Sequence, residues 1–355
     1  IGKQTLRVEY EGKTVEYEVT IVEKKIVSIK MGKLPQKEKY IQNILEDLHK
    51  QTLEDFECIV IDDGSTDCSG EICEQFAATD KRFKVIHTSN NGASHARNRG
   101  IQISQGEYIT FIDADDSVPK NYLECLYADL VHDGADLSIC RMTKLWDSGA
   151  RQSIPLPANG TVPMVELLPD FSDFQKKTGI YGYCCGKMFL KSLIGDVCFD
   201  ETIRLAEDFD FFLKLYPKIK SICFTNKTEY FYLQEAESSS AIMDDKAIDY
   251  RTQLSINIRY KHFLEKENAY SGKNQLIVSQ VLSNYVFFSL FYCSMNELKN
   301  CFLELQSICR LECIKISGRN TFEKWILLLF RKKRYYLLKI SLQCYRWLRY
   351  WLRRK

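Results

Sequence analysis

Three times between residues 56 and 116, a short run of β-branched and aromatic residues gives way to a loop of Asp, Asn, Gly and Ser. Each loop then opens a stretch with helical spacing. FECIVI (56–61) leads into Asp62-Asp63-Gly64-Ser65-Thr66-Asp67 and a helix carrying Ile72, Cys73 and Phe76. FKVIH (83–87) leads into Asn90-Asn91-Gly92-Ala93-Ser94 and a helix through Ala96-Arg97-Asn98-Arg99-Gly100. YITFI (108–112) leads into Asp113-Ala114-Asp115-Asp116, a helix from about 119 to 132 and a strand at 136–142. IVSIKM (26–31) gives a first strand, and 38–50 a helix with Ile41, Ile44, Leu45 and Leu48 on one face. Such alternation predicts an α/β fold, a doubly wound, mostly parallel sheet with helices on both faces. Ligands of such sheets bind beyond the carboxyl ends of the strands, so all three polar loops fall on one functional edge.

The acidic cluster carries the sharpest chemistry. If the chain stays extended past Ile112, Asp113 and Asp115 share a face and Asp116 points away. Two carboxylates on one side suit a hard divalent cation, which takes oxygen ligands and often the phosphates of a substrate. The plainer reading is that Asp116 or Ser117 caps the helix near Pro119 and the other acids are solvated.

Charge separates the tail from the body. From Phe322 to Lys355 there are eleven Lys and Arg against Glu323 alone, a local net of +10. With +2 overall, the first 321 residues therefore carry −8. A basic surface spread over the chain would suggest nucleic acid; a short cationic tail laced with Trp, Tyr and Leu does not. Taken as a helix, Tyr335 to Lys355 places Leu337, Leu338, Leu342, Tyr345, Leu348 and Leu352 on one side, with Lys339, Gln343, Arg346 and Arg353 opposite. The basic run Arg331–Arg334 and the headgroup-seeking Trp347 and Trp351 point to an anionic membrane surface; a helix packed on the body is the alternative. The fourteen cysteines form no C-x-x-C pair and read as reduced core thiols. No apolar run reaches spanning length.

Residues 5–22 alternate polar and apolar on both sides of Glu11-Gly12 and read as a β-hairpin. Residues 143–182 hold four prolines and read as loop and short helix, and 205–216 read as a helix bearing Leu205, Phe209, Phe212, Leu213 and Tyr216. Beyond Asp244 the chain reads as helical. The expected division is a hairpin at 1–25, an α/β domain at 26–240, a helical region at 241–321 and the basic tail at 322–355.

DDGSTD (62–67), NGASHARNRG (91–100), GEYITFIDADD (106–116), GKMFLKSLI (186–194) and LAEDFDFFLKL (205–215), in this order and spacing, resemble the family-two inverting glycosyltransferases of bacterial surface-polysaccharide synthesis. The resemblance covers about residues 26–240 and implies the GT-A fold, Rossmann-like with a helical C-terminal part. It implies that Asp63 contacts the nucleotide base, that Asp113 lies beside the ribose and diphosphate, that Asp115 holds Mn²⁺ or Mg²⁺, and that Asp208 is the catalytic base. Glu207, Arg97 and Lys187 are implied on the donor side, with Asn98 closing its loop against the sheet. On the residues alone, Asp208 reads as an acid on a solvated helix face and Lys187 as half of a surface salt bridge. The partners implied are a nucleotide-diphospho-sugar donor, with a UDP-sugar favoured, and a saccharide or lipid-linked acceptor; the place is the cytoplasmic face of the cell membrane.

Two departures matter. The family's Pro-x-Tyr-Asn turn after the first strand is replaced by Lys30-Met31-Gly32-Lys33-Leu34-Pro35-Gln36-Lys37, which leaves open a non-catalytic relative that only binds. The hairpin ahead of it resembles the last strands of a bacterial immunoglobulin-like domain. A nucleotidyltransferase ranks last, for want of a Gly-rich phosphate loop after the first strand.

Overall fold

A computed structural model describes residues 2–10, 13–21, 26–31, 38–234, 248–308 and 321–352. The chain opens with β1 (Gly2–Tyr10) and β2 (Lys13–Ile21), antiparallel from Gly2↔Ile21 to Tyr10↔Lys13 and forming a sheet of their own. Then come β3 (Ile26–Met31), α1 (Glu38–His49), β4 (Cys58–Asp63), α2 (Ser69–Thr79), β5 (Phe83–Thr88), α3 (Ala93–Ile103), β6 (Tyr108–Asp113) and α4 (Tyr122–Asp133). After β7 (Leu137–Trp146) follow β8 (Arg151–Ile154), β9 (Gly160–Pro163), α5 (Met164–Leu167), α6 (Phe171–Thr178), β10 (Lys187–Leu190), α7 (Glu207–Leu215) and β11 (Ser221–Gln234). Helices α8 (Tyr250–Lys266), α9 (Gly272–Tyr292), α10 (Leu298–Ile308), α11 (Thr321–Arg331) and α12 (Tyr335–Leu352) complete the described chain.

The main sheet has nine strands in the order β5-β4-β3-β6-β10-β7-β11-β9, with β8 on β7. Strands β3 to β6 pair in parallel, as the alternation requires. The sheet as a whole is mixed, because β10 runs antiparallel between β6 and β7. Strand β10 is four residues long, too short to declare itself by period, and β11 was passed over in the sequence although it is the longest strand. The stretch 143–182, expected as loop and short helix, holds the short helices α5 and α6 and also contributes β8 and β9. Ile41, Ile44, Leu45 and Leu48 are all buried, as their spacing predicts. The turn at 32–37, on which the altered nucleoside loop falls, lies outside the described residues.

The tail is a helix and, as in the alternative reading, it packs on the body, turning part of the expected apolar face inward. Leu338 and Leu342 are fully buried and Tyr345 stacks on Phe322 with ring centroids 3.9 Å apart. Arg346, expected among polar residues facing water, donates to the carbonyl oxygens of Leu290, Phe291 and Cys293 at the end of α9. Helix carbonyls left unpaired at a C-terminus need such a donor, which explains the inward turn. Leu337, expected on the same apolar face, is exposed. Among the described residues no helix is long and apolar enough to cross a membrane.

Candidate active site

Arg97 is the hub of the functional edge. It lies on α3 with its side chain 3% exposed, yet it reaches carboxylates on two other elements. One terminal nitrogen, NH1, donates to Glu207 Oε1 at 3.2 Å and to Asp208 Oδ1; the other, NH2, donates to Asp113 Oδ1 at 3.3 Å. Burial opposes the guanidinium's charge, but the carboxylates of Asp208, Asp113 and Glu207 outweigh it and hold its pKa above the ordinary arginine value. Its Nε–H is buried without a partner among the described residues, and Phe199 lies under the guanidinium at 5.4 Å. Three acids distant in sequence are thus gathered around one cation.

Aromatic packing delivers Glu207 and Asp208 to this point. Phe211, one turn further along α7, stacks on Phe199 at 4.0 Å, and both rings meet Phe111 of β6 edge-on at 6.2 and 5.6 Å. The start of α7 is therefore clamped over the carboxyl end of β6. Asn98, next to Arg97, exchanges hydrogen bonds with the backbone of Phe199, accepting from its N–H at 2.8 Å and donating to its oxygen at 3.0 Å. Asn98 thus ties α3 to the segment leading into α7, not its loop to the sheet as expected. Ala206, immediately before Glu207, has φ 64°, a left-handed conformation costly for alanine and frequent at functional sites. The second oxygen of Asp208 accepts from the Cys184 N–H at 3.1 Å.

The acidic cluster is turned differently from an extended chain. β6 ends at Asp113, where the Asp116 N–H donates to the Asp113 carbonyl oxygen at 3.2 Å and closes a turn. The alternation of faces therefore stops there, and Asp116 swings inward instead of away. Its carboxylate accepts from the Tyr230 hydroxyl at 2.5 Å and the Leu233 N–H at 2.9 Å, and burial pushes its pKa well up. Nor does this stretch cap α4: Asp116 serves Tyr230, and the Ser117 hydroxyl donates to Asp47 at 2.6 Å. Tyr230 also accepts from the Asp113 N–H at 3.0 Å, so β11 fixes both acids, a role hidden inside an unremarked aromatic run.

Asp113, Asp116 and Cys185 each offer an atom within 4.8 Å of the others. This trio does not suit a hard cation: both Asp116 oxygens are engaged, and burial raises the pKa values of Asp116 and Cys185 well above normal, favouring protonated groups that are poor ligands. The partly exposed Asp113 and Asp115 are the oxygen donors that fit. Asp115 lines a cavity of about 260 Å³ together with Glu46, Asp47 and Tyr40, and Glu207 lines one of about 490 Å³ with Asn91, Ser94 and Arg204. Arg97 joins Glu207 of the larger cavity to Asp113, two residues before Asp115 of the smaller one.

Two expected ligand contacts are otherwise employed. Both oxygens of Asp63 are taken, Oδ1 accepting from the Thr88 hydroxyl (3.1 Å) and the Asn91 N–H (3.0 Å), Oδ2 from the Gly92 N–H (2.6 Å). Asp63 therefore binds the DDGS loop to the NNGAS loop. Gly64 allows that approach with φ 74°, since a Cβ there would sit 2.8 Å from the Asn90 nitrogen. Lys187 is neither a surface salt bridge nor open to a ligand. Its side chain is fully buried over Phe212, donating to the carbonyl oxygens of Ile180 (2.5 Å) and Tyr183. Burial lowers its pKa to about 8. Lys187 thus holds the 180–184 segment whose Cys184 N–H orients Asp208. Asp210, not singled out in the sequence, is fully buried and paired with Lys214 at 2.7 Å and with Arg259 of α8. Its pairing with Arg259, 49 residues away, leaves no local signal.

The family model for glycosyl transferase family 2 matches residues 36–193. The uncharacterized glycosyltransferase EpsJ of Bacillus subtilis is 31% identical over 252 residues, covering 67% of this chain and 73% of its own length. The glycosyltransferase GlyA of Streptococcus pneumoniae is 30% identical over 246 residues, and the aligned part is 35% of its length. A crystal structure of S. aureus TarS 1–349 in complex with UDP-GlcNAc aligns with 91% of each chain at a TM-score of 0.61 and 20% identity, a likeness of fold.

Proposed function

Because the chain belongs to glycosyl transferase family 2, we propose that it moves a sugar from a nucleotide-diphospho-sugar, specifically a UDP-sugar, to an acceptor hydroxyl with inversion, in cell-surface polysaccharide synthesis. One observation carries this reading: a single buried guanidinium joins the acid ending the central strand to the Glu-Asp pair opening α7. Displacement at an anomeric carbon needs a base on the acceptor side and charge neutralisation on the leaving side. Asp208 is the base, held by Arg97 and the Cys184 N–H so that its carboxylate faces one direction. Glu207 lies on the wall of the larger cavity, where the donor's sugar is bound. Asp113 and Asp115 would hold a divalent cation, Mn²⁺ or Mg²⁺, which when bound neutralises the departing diphosphate. UDP-GlcNAc, the ligand of the TarS complex, is the first donor to try. The acceptor is a saccharide or a lipid-linked one, and the enzyme works on the cytoplasmic face of the membrane.

The test is a thermal-shift panel of nucleotide sugars with and without Mn²⁺, on the wild type and Asp115→Asn. Donor stabilisation should require Mn²⁺ in the wild type and be lost in Asp115→Asn. Equal stabilisation of both proteins in the absence of metal would refute the metal assignment.

Lys187 gives a separate prediction. A buried lysine whose pKa falls to about 8 penalises folding while charged, in full below that value. The penalty should shrink as pH rises from about 8 towards the ordinary lysine value of about 10.4, so stability from this group increases with pH. Lys187→Met should remove that increase in urea titrations while leaving donor affinity unchanged. A fall in donor affinity with an unaltered pH slope would restore Lys187 to the binding site.

A further inference from the structure

Helix α12 is apolar on two sides. One side, with Leu338, Leu342 and Tyr345, is packed on the body of the protein. The other carries Tyr336 (77% exposed), Leu337, Ile340 (56%) and Trp347 (67%), one stripe at helical spacing that nothing in the chain covers among the described residues. Trp325 of α11 stands beside it, 46% exposed and donating to Ser341 on α12 at 3.0 Å. A helix that has already buried one apolar side does not need a second unless another surface receives it.

The charges beside the stripe identify that surface. Arg331, Lys332, Lys333 and Arg334 are all exposed, and none pairs with a carboxylate among the described residues. The turn is fixed, with Lys333 at φ 55°, its N–H donating to Phe330 at 3.0 Å and that of Arg334 donating to Leu329 at 2.8 Å. Three of these cations crowd the N-terminus of α12, whose own dipole is positive there, an arrangement that an external anion relieves. Aromatic rings with one polar edge, aliphatic side chains and unpaired cations together match the headgroup layer of a bilayer.

We propose that the outward stripe of α12, with Trp325 and the 331–334 turn, seats the protein on an anionic phospholipid surface. The stripe lies flat in the headgroup layer while Leu338, Leu342 and Arg346 keep the helix attached to the body. This assigns a surface to the membrane placement proposed above and is independent of the transfer chemistry.

The experiment is flotation of the full chain with vesicles of phosphatidylcholine, alone or mixed with phosphatidylglycerol. Three proteins are compared: the wild type, a charge variant (Arg331→Ser, Lys332→Ser, Lys333→Ser, Arg334→Ser) and a stripe variant (Ile340→Ser, Trp347→Ser). The thermal midpoint of each checks folding. The wild type should bind only the mixed vesicles and release them at high salt. The charge variant should lose on the order of 10²-fold or more in affinity, and the stripe variant should lose binding with an unchanged midpoint. Wild-type binding that both folded variants retain would overturn this surface while leaving the membrane placement standing; absence of wild-type binding would overturn both and leave the transferase reading untouched. Sedimentation showing a dimer that the stripe variant dissociates, or retention on nucleic acid in preference to vesicles, would also overturn it.

Discussion

Arg97→Ala should cost the fold about 3–5 kcal/mol, because it leaves three carboxylates gathered at a buried point without their cation. The guanidinium reaches Glu207, Asp208 and Asp113, which the Phe111, Phe199 and Phe211 packing brings side by side, and neutralises them there. Arg97→Lys tests geometry apart from charge. An ammonium is a point donor that cannot fork between a helix and a strand, so the lysine variant should regain part of the stability and little of the activity. Urea titration of both variants is the check, with nucleotide release as the second readout. An Arg97→Ala protein within about 0.5 kcal/mol of the wild type, the range of an ordinary surface change, would show that the acids do not depend on this residue.

Asp208→Asn should leave donor affinity nearly intact and lower turnover on the order of 10²- to 10⁴-fold, the usual loss on removing a general base. The amide keeps the size of the carboxylate, and its oxygen can still accept from Arg97. It cannot take a proton from an acceptor hydroxyl. The expected signature is a fall in kcat with little change in the KM for the donor, because the missing interaction belongs to the transition state. Glu207→Gln should behave differently, raising the KM for the donor, since Glu207 lines the cavity and shares Arg97 with the base.

The edge of the sheet was legible because each of its loops follows an apolar strand and precedes a helix, a local pattern that survives folding. Asp113, Asp208 and Arg97 were legible as motif positions, but their association was not: Arg97 and Asp208 are 111 residues apart. The same distance hid the Phe111, Phe199 and Phe211 stack that brings them together. Asp116 was misread because strand alternation was extended past the point where the chain turns, and the turn is closed by a backbone hydrogen bond that composition does not encode. Lys187 was misread because a lysine is ordinarily exposed, whereas here two backbone carbonyls compensate its burial. The tail shows the limit of amphipathic reasoning most plainly. Helical periodicity identified α12, yet with apolar residues on both sides it could not tell the packed side from the open one.

In the proposed reaction Asp208, fixed by Arg97, drives inverting transfer. The most direct measurement is time-resolved proton NMR of the sugar first transferred or released from an α-linked nucleotide-diphospho-sugar, for the wild type and Asp208→Asn at matched donor occupancy. The account predicts the β-anomer first from the wild type and a rate at least 10²-fold lower from Asp208→Asn. The α-anomer first, or equal rates from the two proteins, would contradict it.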